Sequence, residues 1–304
     1  MGMKKYYRQF SGFFGLIRPF TLLAPFTVSL SIMVASLFYN GGSEQISSLF
    51  FLFILPASLS LSLLNGASNA LNQATDYNAD KISKPYRPIP QGLISVKKAL
   101  IVSVLLYGVS LAIASLIHTT FFLFVLIITF FTVTYSIPPR MKDKLIFNQL
   151  WIAIPRGLLG ILASWSVFGS VFHSLPLIIA FIATLFLFGG CITKDITDCN
   201  ADKQAGTQTL VNVCGVKKAA VLSLPFLFFP FLLIPLTINL DILQSEFWLL
   251  TFLAIPGFYI FKSMVDNQNP SDLFENARSW SVMYLTYFGF ASSFSLLTIL
   301  SEVL

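Results

Sequence analysis

Nine apolar runs of roughly bilayer-spanning length divide this chain: residues 17–39, 48–75, 97–117, 119–136, 147–168, 174–193, 216–236, 246–263 and 279–300. Crossing a hydrocarbon core takes about 20 apolar helical residues. Inside lipid, backbone polar groups must be satisfied within the segment or around a closed barrel. Runs of this length therefore predict an all-α, polytopic membrane protein with nine transmembrane helices around a central cavity, part polar and part apolar. Charged residues are only 11% of the chain, against about 25% in a soluble domain. The net charge of +6 then reads as topology-setting Lys and Arg, and a nucleic-acid partner is not expected.

The distribution of that charge orients the spans. With the N-terminus inside, the inner segments collect Lys4, Lys5 and Arg8, then Lys81, Lys84, Arg87, Lys97 and Lys98, then Arg140, Lys142 and Lys144, and later Lys194, Lys203, Lys217, Lys218, Lys262 and Arg278. The outer segments, near 40–47, 118, 169–173 and 237–245, contain no Lys or Arg. This positive-inside asymmetry predicts a multi-pass protein of the cell membrane with a cytoplasmic N-terminus and cytoplasmic active-site loops. The first apolar run is too long for a signal peptide and reads as a span. Three cysteines without CxxC or Cys/His spacing indicate neither a disulfide framework nor zinc.

Two stretches conflict with the apolar background. Asn65, Asn69, Asn72, Asp76 and Asp80 fall within one narrow helical sector at about 100° per residue. Asp195, Asp198 and Asp202, at i, i+3 and i+7, again share a face. Asp76 and Asp80 map onto Asp198 and Asp202 with one offset of 122 residues, an internal pseudo-repeat of a kind that places related sites face to face. No linker separates the halves, roughly 1–140 and 141–304, so residues 1–304 read as a single domain. Polar groups emerging from lipid on one side need water, a metal or another polar helix.

Carboxylates one helical turn apart and facing each other suit hard cations. Mg²⁺ takes oxygen ligands, and is often held by one or two carboxylates plus substrate phosphates. Lys84, Arg87 and Lys194 stand beside the acids and suit the oxygens of a diphosphate, Arg bidentately and Lys as a point charge. Such a clamp stabilises a departing diphosphate, with a hydrocarbon tail in an apolar cavity between spans. Arg156, inside the fifth run with Asn148 eight residues earlier, either lines the polar cavity or makes a structural pair. Asn69 and Tyr135 are further candidate cavity residues, Tyr135 alternatively a helix cap.

Asn72, Asp76 and Asp80, followed by KPYRPIPQG from Lys84 to Gly92, resemble the first signature of the UbiA superfamily of intramembrane prenyltransferases. Lys194, Asp195, Asp198, Asp202, Gly206, Thr209 and Leu210 are similar to its second aspartate-rich motif. YSIPPRMK, from Tyr135 to Lys142, resembles its YSxPPxxxK segment, and Arg18–Pro19 its opening. The resemblance implies a nine-helix enzyme that transfers a polyprenyl group, geranyl to geranylgeranyl or longer, from its diphosphate to a lipophilic acceptor, with Mg²⁺ as cofactor. It implies Asp76, Asp80, Asp198 and Asp202 as catalytic, and the same four with Asn72 and Asp195 as the metal set. It implies Asn72, Lys84, Arg87, Lys142, Lys194 and Arg18 as diphosphate contacts. Acceptors in the family include aromatic quinone precursors, tetrapyrroles and glycerol-phosphate ethers, among which the sequence does not choose. An ion-coupled secondary transporter and a non-catalytic lipid-binding membrane protein are the alternatives.

Overall fold

The computed structural model describes residues 2–266 and 277–303; the side chains of residues 2–9, among them Lys4, Lys5 and Arg8, and those of Ala201 and Ala205 lie outside that description. The described residues are helical, without a strand. The principal elements are α1 (Gly2–Ile17), α2 (Pro19–Tyr39), α3 (Leu55–Thr75), α4 (Tyr77–Ser83), α5 (Val96–Ile117), α6 (Thr119–Ser136), α7 (Phe147–Ala153), α8 (Gly160–Trp165), α9 (Ser174–Gly190), α10 (Ile192–Ala205), α11 (Val216–Asn239), α12 (Ala254–Asp266) and α13 (Arg278–Val303).

Helix contacts close into a ring. α2 packs on α3, α3 on α5, α5 on α6 and α6 on α8; α9 packs on α11, α11 on α12, α12 on α13, and α13 returns to α2. The segment Ile154–Leu159, a π-helical turn between α7 and α8, completes the circuit against α9. Hydroxyls tie neighbours together across it, as expected where lipid removes most of the hydrophobic drive between helices. Ser103 Oγ donates to the Ala67 carbonyl at 2.8 Å, Ser60 Oγ to the Ser110 carbonyl at 2.9 Å, and Ser36 Oγ to the Trp165 carbonyl at 2.8 Å.

Among the described residues, eight helices are long and apolar enough to cross a membrane, where nine runs are expected. The run outside that set is residues 147–168. It is helical as far as Trp165, as α7, the π-helical turn and α8, but carries Asn148, Gln149 and Arg156. Those polar side chains, Asn148 and Gln149 buried, lower its hydropathy.

The amides of α3 answer a break in the chain ahead of them. Arg18, at φ 54°, interrupts the helix between α1 and α2, and Pro25 inside α2 has no N–H to donate to the Thr21 carbonyl. Asn65 Nδ2 donates to that carbonyl at 3.0 Å. Asn69 Nδ2 donates to the Ile17 carbonyl at 2.9 Å, and Gln73 Nε2 to the Leu16 carbonyl at 2.8 Å. One face of α3 thus satisfies carbonyls that the kink would leave bare in the interior.

The expected single helix through Asp80 is interrupted once, at Asp76 (φ −97°, ψ 9°). The Asp76 amide still donates to the Asn72 carbonyl at 2.9 Å, and the Asp80 amide to the Asp76 carbonyl at 2.8 Å, so the one-turn spacing survives. α10 ends at Gly206 (φ 73°), a left-handed stop that only glycine adopts freely.

Candidate active site

A cavity of about 300 Å³ lies inside the ring, lined by Asn72, Asp76 and Asp80 from one side and Lys194, Asp198 and Asp202 from the other. Its volume falls in the range of small-molecule sites. Toward the apolar end the wall is made by side chains such as Val28, Leu61, Leu64, Ile128 and Leu187. Arg18, Asn69, Lys84, Arg87, Tyr135, Lys142, Asn148 and Arg156, all singled out in the sequence, also line it.

Cations hold the acids. Arg87 grips Asp80 with one nitrogen on both carboxylate oxygens, at 3.0 and 2.8 Å, and both side chains are buried. Burial pushes the Asp80 carboxyl above its ordinary value despite that guanidinium. Asp76 takes the Lys142 ammonium and, at 3.3 Å, Arg140 Nη2. Burial lowers the Lys142 ammonium below its usual range, against the pull of Asp76. Lys84 Nζ lies 2.6 Å from Asp198 Oδ1. Asp202 has no ion-pair partner among the described residues. Burial and the neighbouring Asp198 charge push its carboxyl up to about 7.

Asp195, expected to ligate metal with Asp198 and Asp202, is placed elsewhere. It is 1% exposed and absent from the cavity lining. Lys194 Nζ meets Asp195 Oδ1 at 2.5 Å, and Asn148 Nδ2 donates to Asp195 Oδ2 at 3.1 Å. The physical reason is local: the adjacent ammonium and the amide of α7 draw the carboxylate into the wall between α7 and α10. Asn148 is the hub, its Oδ1 also accepting from the Tyr135 hydroxyl at 3.0 Å and from Lys194 Nζ at 3.1 Å. Tyr135 therefore lines the cavity instead of capping a helix.

Sequence reasoning missed Arg140 as a site residue. It lies in the quoted YSIPPRMK segment, but its aim at Asp76 depends on a left-handed turn (φ 48°) that no periodicity announces. Arg140 Nε also donates to Asp143 Oδ2 at 2.7 Å, and Asp143 Oδ1 accepts from Thr207 Oγ1 at 3.3 Å, which joins the loop before α7 to the loop after α10. Tyr284 and Tyr287 of α13 were also missed; both line the cavity but come from a span with no acidic motif. The three cysteines are free thiols. No three His, Cys, Asp or Glu side chains converge as a ready-made metal cage among the described residues; the oxygen donors come as two separate pairs.

The fold and sequence have clear relatives. A UbiA homologue from Archaeoglobus fulgidus, solved bound to GPP and Mg²⁺, superposes with a TM-score of 0.74 at 20% identity, covering 95% of this chain and 99% of that one. A structure described as giving insight into digeranylgeranylglyceryl phosphate synthase in membranes gives a TM-score of 0.66 at 20% identity, covering 97% and 99%. Digeranylgeranylglyceryl phosphate synthase of Methanosphaera stadtmanae is 28% identical over 243 residues, 78% of this chain and 86% of that protein. The enzyme of the same name from Methanococcus aeolicus is 33% identical over 219 residues, 72% and 76% respectively. The profile of the UbiA prenyltransferase family matches residues 28–288, and this integral membrane protein belongs to that family.

Proposed function

We propose that this chain transfers a polyprenyl group, geranylgeranyl in the first instance, from its diphosphate to the free hydroxyl of a glycerol-phosphate ether. The observation that carries the reading is the convergence of Asp76, Asp80, Asp198 and Asp202, the first three with Lys or Arg partners, at the polar end of one partly apolar cavity. The names of the synthases above support the acceptor class.

The donor set fits Mg²⁺. Carboxylates in two pairs, with the Asn72 amide, offer the few oxygen ligands that Mg²⁺ uses beside water and substrate phosphate. Asp76, Asp80, Asp198 and Asp202 would hold it. The raised Asp202 carboxyl marks a place where negative charge lacks a cation. When bound, Mg²⁺ supplies Lewis-acid stabilisation of the leaving diphosphate. Lys84, Arg87, Arg140 and Lys142, now neutralising carboxylates, then turn to phosphate oxygens, with Lys194 and Arg18 as further contacts. Asp195 orients Lys194 and Asn148, and is assigned no metal.

In the transfer, the bond from the allylic carbon to the diphosphate oxygen breaks and diphosphate departs with the electron pair. The acceptor hydroxyl oxygen bonds to that carbon, and its proton passes to the departing diphosphate. The faces of Trp151, Trp280 and Tyr284, which line the cavity, suit the intervening allylic cation. The charge asymmetry of the loops supports a cytoplasmic mouth, and the run 147–168 would be a ninth crossing. Residues 1–304 act in this reading as one catalytic unit.

The test is Mg²⁺-dependent release of diphosphate from geranylgeranyl diphosphate, with ether product, by the purified protein. Asp76→Asn and Asp198→Asn should each abolish both; unchanged turnover in either variant would refute the metal assignment.

A further inference from the structure

Arg156 is a cation in the chamber wall whose hydrogen-bond partners are all neutral. Its Nη1 donates to the Tyr284 hydroxyl at 2.5 Å and its Nη2 to Asn65 Oδ1 at 3.3 Å. Among the described residues no carboxylate reaches it, and Asp76, Asp80, Asp195 and Asp198 each pair with another Lys or Arg. A guanidinium carries five N–H donors, and these two bonds leave the rest of the fork available to a ligand in the cavity it lines. A cation at this depth without a counter-ion is costly in a dry wall, and an arriving anion removes that cost.

The position is built, not incidental. Arg156 lies in the π-helical turn Ile154–Leu159. Tyr287 donates its hydroxyl to the Arg156 carbonyl at 2.8 Å. At Gly157 an added Cβ would stand 2.6 Å from Thr184 Cα, so the turn is pressed against α9 where no larger residue fits. Tyr284 and Tyr287, both from α13, therefore set where the guanidinium points.

It is also remote from the acidic clamp. Asn65, its partner, precedes Asp76 by eleven residues along α3, about 16 Å at 1.5 Å per residue. Arg156 cannot share a diphosphate held at Asp76. The chamber thus has two polar poles, with the reacting carbon between them and next to the first.

We propose that Arg156, oriented by Tyr284, binds the anionic group of the acceptor. On the reading above, on which this inference rests, that group is the phosphate of the glycerol ether; a carboxylate on an aromatic acceptor has the same chemistry. Holding it at the far pole turns the acceptor's hydroxyl toward the allylic carbon and discriminates against uncharged alcohols.

The test uses the full chain in bilayer nanodiscs with geranylgeranyl diphosphate and three acceptors: a mono-geranylgeranyl ether of glycerol phosphate, its phosphate-free alcohol, and 4-hydroxybenzoate. Arg156→Met should raise the KM for the phosphate-bearing acceptor about tenfold or more. The KM for the phosphate-free alcohol should stay unchanged, as should affinity for the unreactive geranylgeranyl thiodiphosphate. Arg156→Lys should recover part of the loss. Tyr284→Phe keeps the ring and serves if Arg156→Met does not fold; its expected rise is about threefold in the same KM alone. An equal rise for both ether acceptors, or lost thiodiphosphate affinity, overturns the inference and leaves Arg156 a structural pin. If the wild-type protein uses 4-hydroxybenzoate and not the glycerol phosphate, the acceptor class above fails. The anion seat then stands only if Arg156→Met raises that KM. Preference of the wild-type protein for the phosphate-free alcohol over both anionic acceptors overturns the anion seat outright.

Discussion

Lys84, on the loop after the first acidic stretch, lies 2.6 Å from Asp198 of the second, the two side chains 16% and 26% exposed. This contact joins two motifs far apart in the chain across the mouth of one cavity. In the proposed reaction the same ammonium would exchange this carboxylate for a phosphate oxygen of the substrate.

Replacing that ammonium should therefore move two affinities in opposite directions. Lys84→Met is expected to weaken binding of geranylgeranyl thiodiphosphate about tenfold, the scale of a lost charge-assisted hydrogen bond. Mg²⁺ affinity without substrate should rise, because Asp198 loses its internal competitor. Calorimetric titration of each ligand gives both values. A fall in both would mean that Lys84 merely supports the fold.

Asp202 predicts a pH dependence. Its carboxyl, pushed up to about 7 by burial and Asp198, carries a proton below that pH which a metal must displace. Apparent Mg²⁺ affinity should thus climb as pH rises from about 6 to 8, by up to tenfold per unit below the pKa, with proton release on binding. Titrations in buffers of different ionisation enthalpy count those protons. An affinity flat across this range would contradict the assignment of Asp202.

Gln73 and its neighbour Asn72 should separate stability from chemistry. Gln73, 1% exposed, donates to the Leu16 carbonyl at 2.8 Å, whereas Asn72 lines the cavity. Gln73→Leu leaves a buried carbonyl bare and should lower stability by about 1–3 kcal/mol, with turnover per folded molecule retained. Asn72→Leu should do the reverse. Thermal unfolding in detergent beside activity distinguishes them, and a stable Gln73→Leu with low turnover would reassign that face of α3 to the site.

Much of the architecture was legible along the chain because lipid permits few backbone solutions. Apolar run length announced the helices, and one-turn spacing announced that Asp76 and Asp80, like Asp198 and Asp202, look the same way. Periodicity sets an angle about one helix axis and says nothing of which neighbour stands there. Asp195 shares the periodicity of Asp198, yet Lys194 and Asn148 hold it inside the wall. Asn65 and Asn69 share the helical sector of the acids and do line the cavity, yet together with Gln73 they also serve carbonyls opened by Arg18 and Pro25 some fifty residues earlier. Arg140 needed a left-handed turn, and Arg156 needed two tyrosines from the last helix. Local sequence determined which groups had to be kept out of lipid; only packing of distant helices decided which group satisfied which, because those partners are neighbours in space and not along the chain.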